Sequence, residues 1–185
     1  MIYINTPNYV EMDTVHIDLI KATAMALKPL NMLELGMGSG KVTAALMEAS
    51  MATGFGQLTV VDNWVDWNGV KPNIHNVEPY IILNRLQIIT KSEESFVAEN
   101  EDKPQYDLIV SDADHHNSHK WWHMTLSMLK YEGVAFFHDV CNRDFPNLNM
   151  LVYDIDAAGY QTKIFKNSSH PFERCNRGLL MVWKA

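Results

Sequence analysis

The chain has 185 residues, of which 47 % are hydrophobic, 10 % aromatic and 20 % charged. That composition suits a globular chain with a core of its own, and it excludes wholly disordered, collagen-like and low-complexity sequences. Fifteen basic against 22 acidic residues leave a net charge of −7, which offers no footprint for a nucleic-acid backbone. In chain order, the hydrophobic periodicity predicts helix 12–28, strand 31–35, helix 41–53, strand 57–62, helix 76–85, strand 86–90 and helix 92–99. There follow strand 106–111, helix 117–130, strand 133–138, helix 147–158, and strands 161–165 and 179–184. Short β-rich runs alternating with helical stretches are the signature of an α/β sheet with helices on its faces. Gly54 and Gly159 stand where a left-handed residue stops a helix, and Asn117 and Ser118 can accept from free donors at a helix start. The segment 166–178 joins the last two strands with turn formers and Pro171 but no helical period, so those strands are expected to form an antiparallel hairpin.

No repeat or linker-like shift divides the sequence, and its length fits one domain, 1–185. The longest apolar run covers only 179–183, against the ~20 residues a bilayer crossing needs. The amino terminus carries neither a basic flank nor an apolar signal region, and Cys141 and Cys175 make no CxxC pair. A cytoplasmic location is therefore expected.

The run 31–40 leads from a strand straight into a helix and holds Glu34, Gly36, Gly38 and Gly40. Glycines at alternate positions let the backbone turn tightly and a ligand approach it, while the helix start presents free N–H groups. A triphosphate loop fails, because Leu35 stands where its first glycine belongs and Val42 where its hydroxyl belongs. A dinucleotide fingerprint fails at Lys41. What remains is acidic-x-Gly-x-Gly-x-Gly. With it, the strand 58–62 ending in Asp62 resembles the first two motifs of class I S-adenosylmethionine-dependent methyltransferases. An acid at that strand end can accept both hydroxyls of a ribose lying across the sheet. The resemblance implies a donor held by Glu34, Gly36, Gly38, Gly40, Asp62 and Asp112, with Trp64 over the adenine face and Ser92 at its edge. It also implies a Rossmann-like, doubly wound seven-stranded sheet of order 3-2-1-4-5-7-6 with strand seven antiparallel.

Strand 106–111 is followed by Asp112, Asp114, His115 and His116, and strand 133–138 closes with His138 and then Asp139. In the order just given these strand ends are neighbours beside the donor, so Asp112, Asp114, His115, His138 and Asp139 are expected to converge. Carboxylates with an imidazole suit a divalent cation, Mg²⁺ or Mn²⁺, that polarises an acceptor hydroxyl. Here the sequence resembles the small metal-dependent O-methyltransferases of the catechol and macrolide-sugar types. That likeness implies Asp112, Asp139 and His138 as metal ligands and His115 as the catalytic base. Two departures stand beside it: Val140 follows Asp139 where the catechol type has Asn, and His138 replaces an acid of the sugar type. Asp114, His115 and His116 also spell a phosphoesterase signature, but the further aspartates and second domain it needs are missing. His119 and His123, spaced i, i+4, can share a zinc ion only with further ligands that are not evident.

The expected activity is methyl transfer to a hydroxyl of a small molecule. Its alternatives are a non-catalytic nucleoside-binding module of the same fold and a metal-independent N- or C-methyltransferase. Elements free to meet an acceptor are few: 1–12 as a lid segment, Trp121 and Trp122, Asn142 and Arg143, and the loop 166–178. Trp121 and Trp122 lie about 100° apart on a helix, so at least one belongs to the core. Arg174 and Arg177 are candidates to clamp an anionic acceptor. Neither nucleic acid nor membrane is expected as a partner, and the resemblance points to a homodimer.

Overall fold

The computed structural model describes residues 12–65, 72, 74–81, 83–166 and 177–184. The elements in order are α1 (Thr14–Leu27), β1 (Asn31–Leu35), α2 (Lys41–Thr53), β2 (Gln57–Asp62), α3 (Glu78–Ile81), β3 (Leu86–Thr90) and α4 (Glu93–Asn100). They continue as β4 (Tyr106–Ser111), α5 (Trp122–Ser127), β5 (Leu129–His138), α6 (Pro146–Ala157), β6 (Gln161–Phe165) and β7 (Leu179–Trp183). The strands form one sheet of order β3-β2-β1-β4-β5-β7-β6. β1 to β5 pair in parallel, while β7 runs antiparallel to both β5 and β6, as the loop between the last two strands requires.

Both faces of the sheet are covered, which explains why its strands read as continuous apolar runs rather than alternating ones. Successive residues turn to opposite sides. Leu33, Ile109, Ala135 and Phe137 join the core under α4, α5 and α6, and their neighbours Met32, Leu108, Val134 and Phe136 join the core under α1 and α2. Helix ends follow from local chemistry. Gly40 (φ 77°) precedes α2 and Gly54 (φ 76°) ends it, both in the left-handed region that costs glycine nothing. Ser92 accepts from the Ser95 N–H at 3.3 Å to cap α4, and Pro146 opens α6.

Register aligns the chemistry. Leu35 pairs with Val61 and with Ser111, and Ser111 with Phe137, so these four residues form one rung across β2, β1, β4 and β5. One residue further along each strand stand Asp62, Gly36, Asp112 and His138, a row at the carboxyl edge where open α/β sheets bind ligands.

Three expectations change. The helix expected over 76–85 is a 3₁₀ turn, Ile74–Asn76, followed by the single turn of α3, and Asn84 adopts a left-handed φ of 50° just beyond it. The helix expected over 117–130 is a 3₁₀ turn, Ser118–Lys120, and a short α5, because Leu129 pairs with Tyr106 and starts β5 early. That pairing is non-local, and it overrides a helical period that the local sequence carries. Asn117 and Ser118 are not the cap. Asp114 takes that work, its Oδ1 accepting from the His116 and Asn117 N–H groups at 3.2 Å each. Among the described residues no helix is long and apolar enough to cross a membrane.

Candidate active site

A cavity of about 450 Å³ lies along the carboxyl edge of the sheet, and its walls come from both sides of the row described above. At its β1–β2 end the backbone turns at Gly36 (φ 89°), where a Cβ would sit 2.5 Å from the Asp112 carbonyl oxygen. Only glycine fits there, because this turn packs directly on the exit of β4. Gly38 (φ 50°) has open space where its side chain would be, so the turn presents bare backbone to the cavity. Asp62 ties this end together. Its Oδ2 accepts from the Met37 N–H at 2.8 Å and its Oδ1 from the Trp64 N–H at 2.7 Å. A carboxylate offers about four acceptor positions, so Asp62, which lines the cavity, keeps lone pairs for a ligand diol.

Glu34 is buried beneath the turn, with Oε2 accepting from the Thr43 hydroxyl at 2.6 Å and Oε1 without a hydrogen-bond partner among the described residues. Burial, opposed by the Thr43 bond and reinforced by Asp112 and Asp62, pushes its carboxyl well above the usual range. A buried polar atom left unpaired is costly, and this one borders the cavity, where a polar ligand group can pair it. Ser92 lines the same wall while capping α4. Gly40 serves as the N-terminal boundary of α2. Trp64 is 39 % exposed, and the cavity wall there is formed by its neighbours Asn63 and Val65.

At the β4–β5 end four side chains close a ring. Asp112 Oδ1 lies 3.1 Å from His115 Nε2 and 3.0 Å from His138 Nδ1. Asp139 Oδ2 lies 2.8 Å from His115 Nε2 and 3.7 Å from His138 Nδ1. Asp139 reaches this position from a left-handed backbone (φ 61°), and its other oxygen accepts from Asn142 Nδ2 at 3.2 Å with Arg177 Nε 3.7 Å away. His115 is oriented by its Nδ1, which donates to the Ala113 carbonyl at 2.7 Å, and Phe145 packs 4.7 Å from its ring. Burial alone would lower His115, but its hydrogen bonds to Asp112 and Asp139 raise it to about 10. His138 is likewise raised, since the charge of Asp112 outweighs burial. Burial works against ionised Asp112 as well, yet the charge of His138 and the bonds from both imidazoles hold its carboxyl well below the usual range.

One potential donor atom from each of Asp112, His115, His138 and Asp139 lies within 4.8 Å of the others. Oxygen and imidazole donors so close, with two carboxylate charges, fit a divalent cation. Asp114, expected in this cluster, is turned instead to its own loop as the cap described above. His119 and His123 join no such group among the described residues. Trp121 is a core residue and Trp122 is partly buried. Arg177, expected to clamp an acceptor, lines the cavity with its Nε 3.7 Å from Asp139 Oδ1; Arg174 and the segments 1–11, 66–71 and 167–176 lie outside the described residues.

Two contributors escaped the sequence reading. Glu93 is buried in the cavity wall and accepts from the Ser111 hydroxyl at 2.9 Å and the Asp114 N–H at 3.1 Å. Burial raises it to about 7 against those bonds. As the first residue of α4 it looks like an ordinary acidic helix start. His16 on α1 stands behind His138 with ring centroids 5.4 Å apart, edge to face. Its signal was present: His16, Ile20 and Ala24 are the buried stripe of α1.

A seven-stranded sheet of this order, with a glycine turn after β1 and an acid after β2, defines the class I methyltransferase fold. A family model described as a methyltransferase domain matches residues 33–140, more than half of the chain, and the chain belongs to that family. The O-methyltransferase from Bacillus cereus in complex with SAH superposes with a TM-score of 0.72 at 16 % identity, over 97 % of this chain and 85 % of that one. The O-methyltransferase TomG from Streptomyces achromogenes, in complex with SAM, gives 0.70 at 11 % identity over 95 % and 82 %. The SAH-bound methyltransferase PaMTH1 from Podospora anserina gives 0.72 at 15 % identity over 95 % and 81 %. Comparison with curated proteins finds no match in sequence.

Proposed function

We propose that the chain transfers a methyl group from S-adenosylmethionine to a hydroxyl of a small molecule, with a divalent cation held at Asp112 and Asp139. The observation that carries this reading is the shared cavity: the glycine turn with Asp62 and the ring of Asp112, His115 and Asp139 open onto one space. The donor lies over the turn, its ribose on Asp62 and its amino-acid part toward Gly36, Gly38 and Glu34. SAM- and SAH-bound neighbours of the same fold support that placement.

The donor is an activated sulfonium, so the protein's task is alignment and proton removal. The acceptor oxygen bonds to the methyl carbon as the carbon–sulfur bond breaks, and the hydroxyl proton passes to His115. Nδ1 of His115 is committed to the Ala113 carbonyl, so Nε2 is the nitrogen that exchanges a proton. The carboxylates of Asp112 and Asp139 that raise His115 to about 10 would be neutralised by a cation held between them, which would free Nε2 to accept. A bound cation would supply Lewis acidity that lowers the pKa of the acceptor hydroxyl. Met12, Ile17 and Phe145 give the acceptor an apolar wall.

Thermal melting with S-adenosylhomocysteine tests the donor site: a raised Tm is expected, and no rise overturns the reading. The second test measures S-adenosylhomocysteine release on a small hydroxylated acceptor found by screening. His115→Ala and Asp112→Asn should abolish turnover while retaining the rise in Tm. Turnover at the wild-type rate in either variant removes the role given to that residue.

A further inference from the structure

The two histidines of the ring occupy unlike positions. His115 lines the cavity, with its side chain 12 % exposed, whereas His138 is 1 % exposed and lies behind the carboxylates, outside the cavity wall. A group on the cavity side can exchange a proton with an acceptor. One sealed behind Asp112 and Asp139 cannot, yet His138 still turns Nδ1 toward both of them, at 3.0 and 3.7 Å. Its other nitrogen, Nε2, is buried without a hydrogen-bond partner among the described residues, and the His16 ring lies 5.4 Å from the His138 ring in a T-shaped arrangement. With Nδ1 turned to two carboxylates, this imidazole is placed to put that nitrogen on an ion held between them.

We infer that His138 is a nitrogen ligand and that the ring therefore selects a first-row transition ion, of the Mn²⁺ or Fe²⁺ class, over Mg²⁺. The inference rests on the cation reading above and goes beyond it in naming the ion class. Mg²⁺ is hard, prefers an all-oxygen shell and keeps several waters. Imidazole donors instead favour the transition ions, whose affinity for nitrogen rises along the row. Asp139 contributes to this choice by how it is held. Asn142 and Arg177 engage its Oδ1, which leaves Oδ2 as the oxygen turned to the ring.

The test uses the full chain, treated with chelator and then saturated with S-adenosylhomocysteine. Calorimetric titration with Mn²⁺ and with Mg²⁺ gives the preference, and pulsed electron paramagnetic resonance of bound Mn²⁺ reads directly bonded nitrogen. Mn²⁺ is expected to bind more tightly than Mg²⁺, with a ¹⁴N modulation. His138→Asp, which makes this ligand an oxygen, should narrow the Mn²⁺ over Mg²⁺ preference by about tenfold or more and reduce the modulation. His115→Ala should keep both the preference and the modulation from His138. Equal affinity for the two ions, or modulation of full depth in His138→Asp, overturns the inference while leaving the cation site intact. Binding of neither ion to a protein that still binds S-adenosylhomocysteine overturns the cation reading itself. Melting with S-adenosylhomocysteine checks that each variant remains folded.

Discussion

The two ends of the cavity solve different physical problems. At the β1–β2 end the contacts are chiefly backbone: a turn with glycine at alternate positions, and Asp62, a carboxylate that takes two N–H groups before it meets any ligand. At the β4–β5 end charge is concentrated, with two carboxylates and two imidazoles within 4.8 Å of one another. The first arrangement is chiefly shape, suited to holding a large polar molecule. The second is a stack of titratable groups whose protons and charges depend on one another, and that is the property chemistry needs. Under the proposed function binding and reaction are therefore separable, although Gly36 lies against Asp112 where the two ends touch.

That contact offers the harshest way to break the separation. Gly36→Ala places a Cβ 2.5 Å from the Asp112 carbonyl in a left-handed backbone, whose strain alone costs about 1–3 kcal/mol. It should lower the denaturation midpoint and weaken both S-adenosylhomocysteine and Mn²⁺ binding, whereas intact Mn²⁺ affinity would mean that the two ends are not coupled through this turn. Asp62→Ala sharpens the contrast. The hydrogen bonds that a ribose diol would make to this carboxylate are worth about 1.5–3 kcal/mol each, so donor-product affinity should fall at least tenfold while calorimetry still finds Mn²⁺ bound.

The pH dependence of stability distinguishes groups within the wall. Glu93 has a folded pKa of about 7 against an ordinary 4.5, so the folded state binds the extra proton between those values and stability falls as pH rises through that window. Glu93→Gln should flatten that slope in chemical denaturation; an unchanged slope assigns it elsewhere. His115 contributes in the opposite chemical sense but the same direction. Its pKa is raised to about 10, so in metal-free protein its stabilisation is complete below 6.5 and is lost as pH climbs through 10. The smallest expected effect is at the donor end, where Ser92→Ala removes a helix cap worth about 1 kcal/mol. A larger drop in donor-product affinity than in stability would show that Ser92 also touches the ligand.

How far the site was legible follows from what holds each residue. The glycine turn, Asp62, Asp112 and Asp139 could be found because they directly follow apolar strands, and strand ends are visible in local periodicity. Asp114 was expected in the cluster, but its carboxylate has backbone donors two and three residues away and is used there. Glu93 looked like a helix-start acid, and its burial depends on Ser111 and Asp114, which no local pattern links to it. Arg177 lines the cavity as a candidate to meet an acceptor, but its approach to Asp139 joins the exit of β5 to the end of a distant loop and no local pattern announces it.

By itself the amino-acid order determined the seven strands, the final antiparallel hairpin and the turn that opens α2, because these depend on side-chain period, glycine freedom and connection length over a few residues. Only the tertiary structure decided which acids and imidazoles meet, that Leu129 belongs to a strand, and that His16 stands behind His138. Those outcomes depend on register between segments far apart in the chain, and on competition between nearby backbone donors and distant partners for the same oxygen.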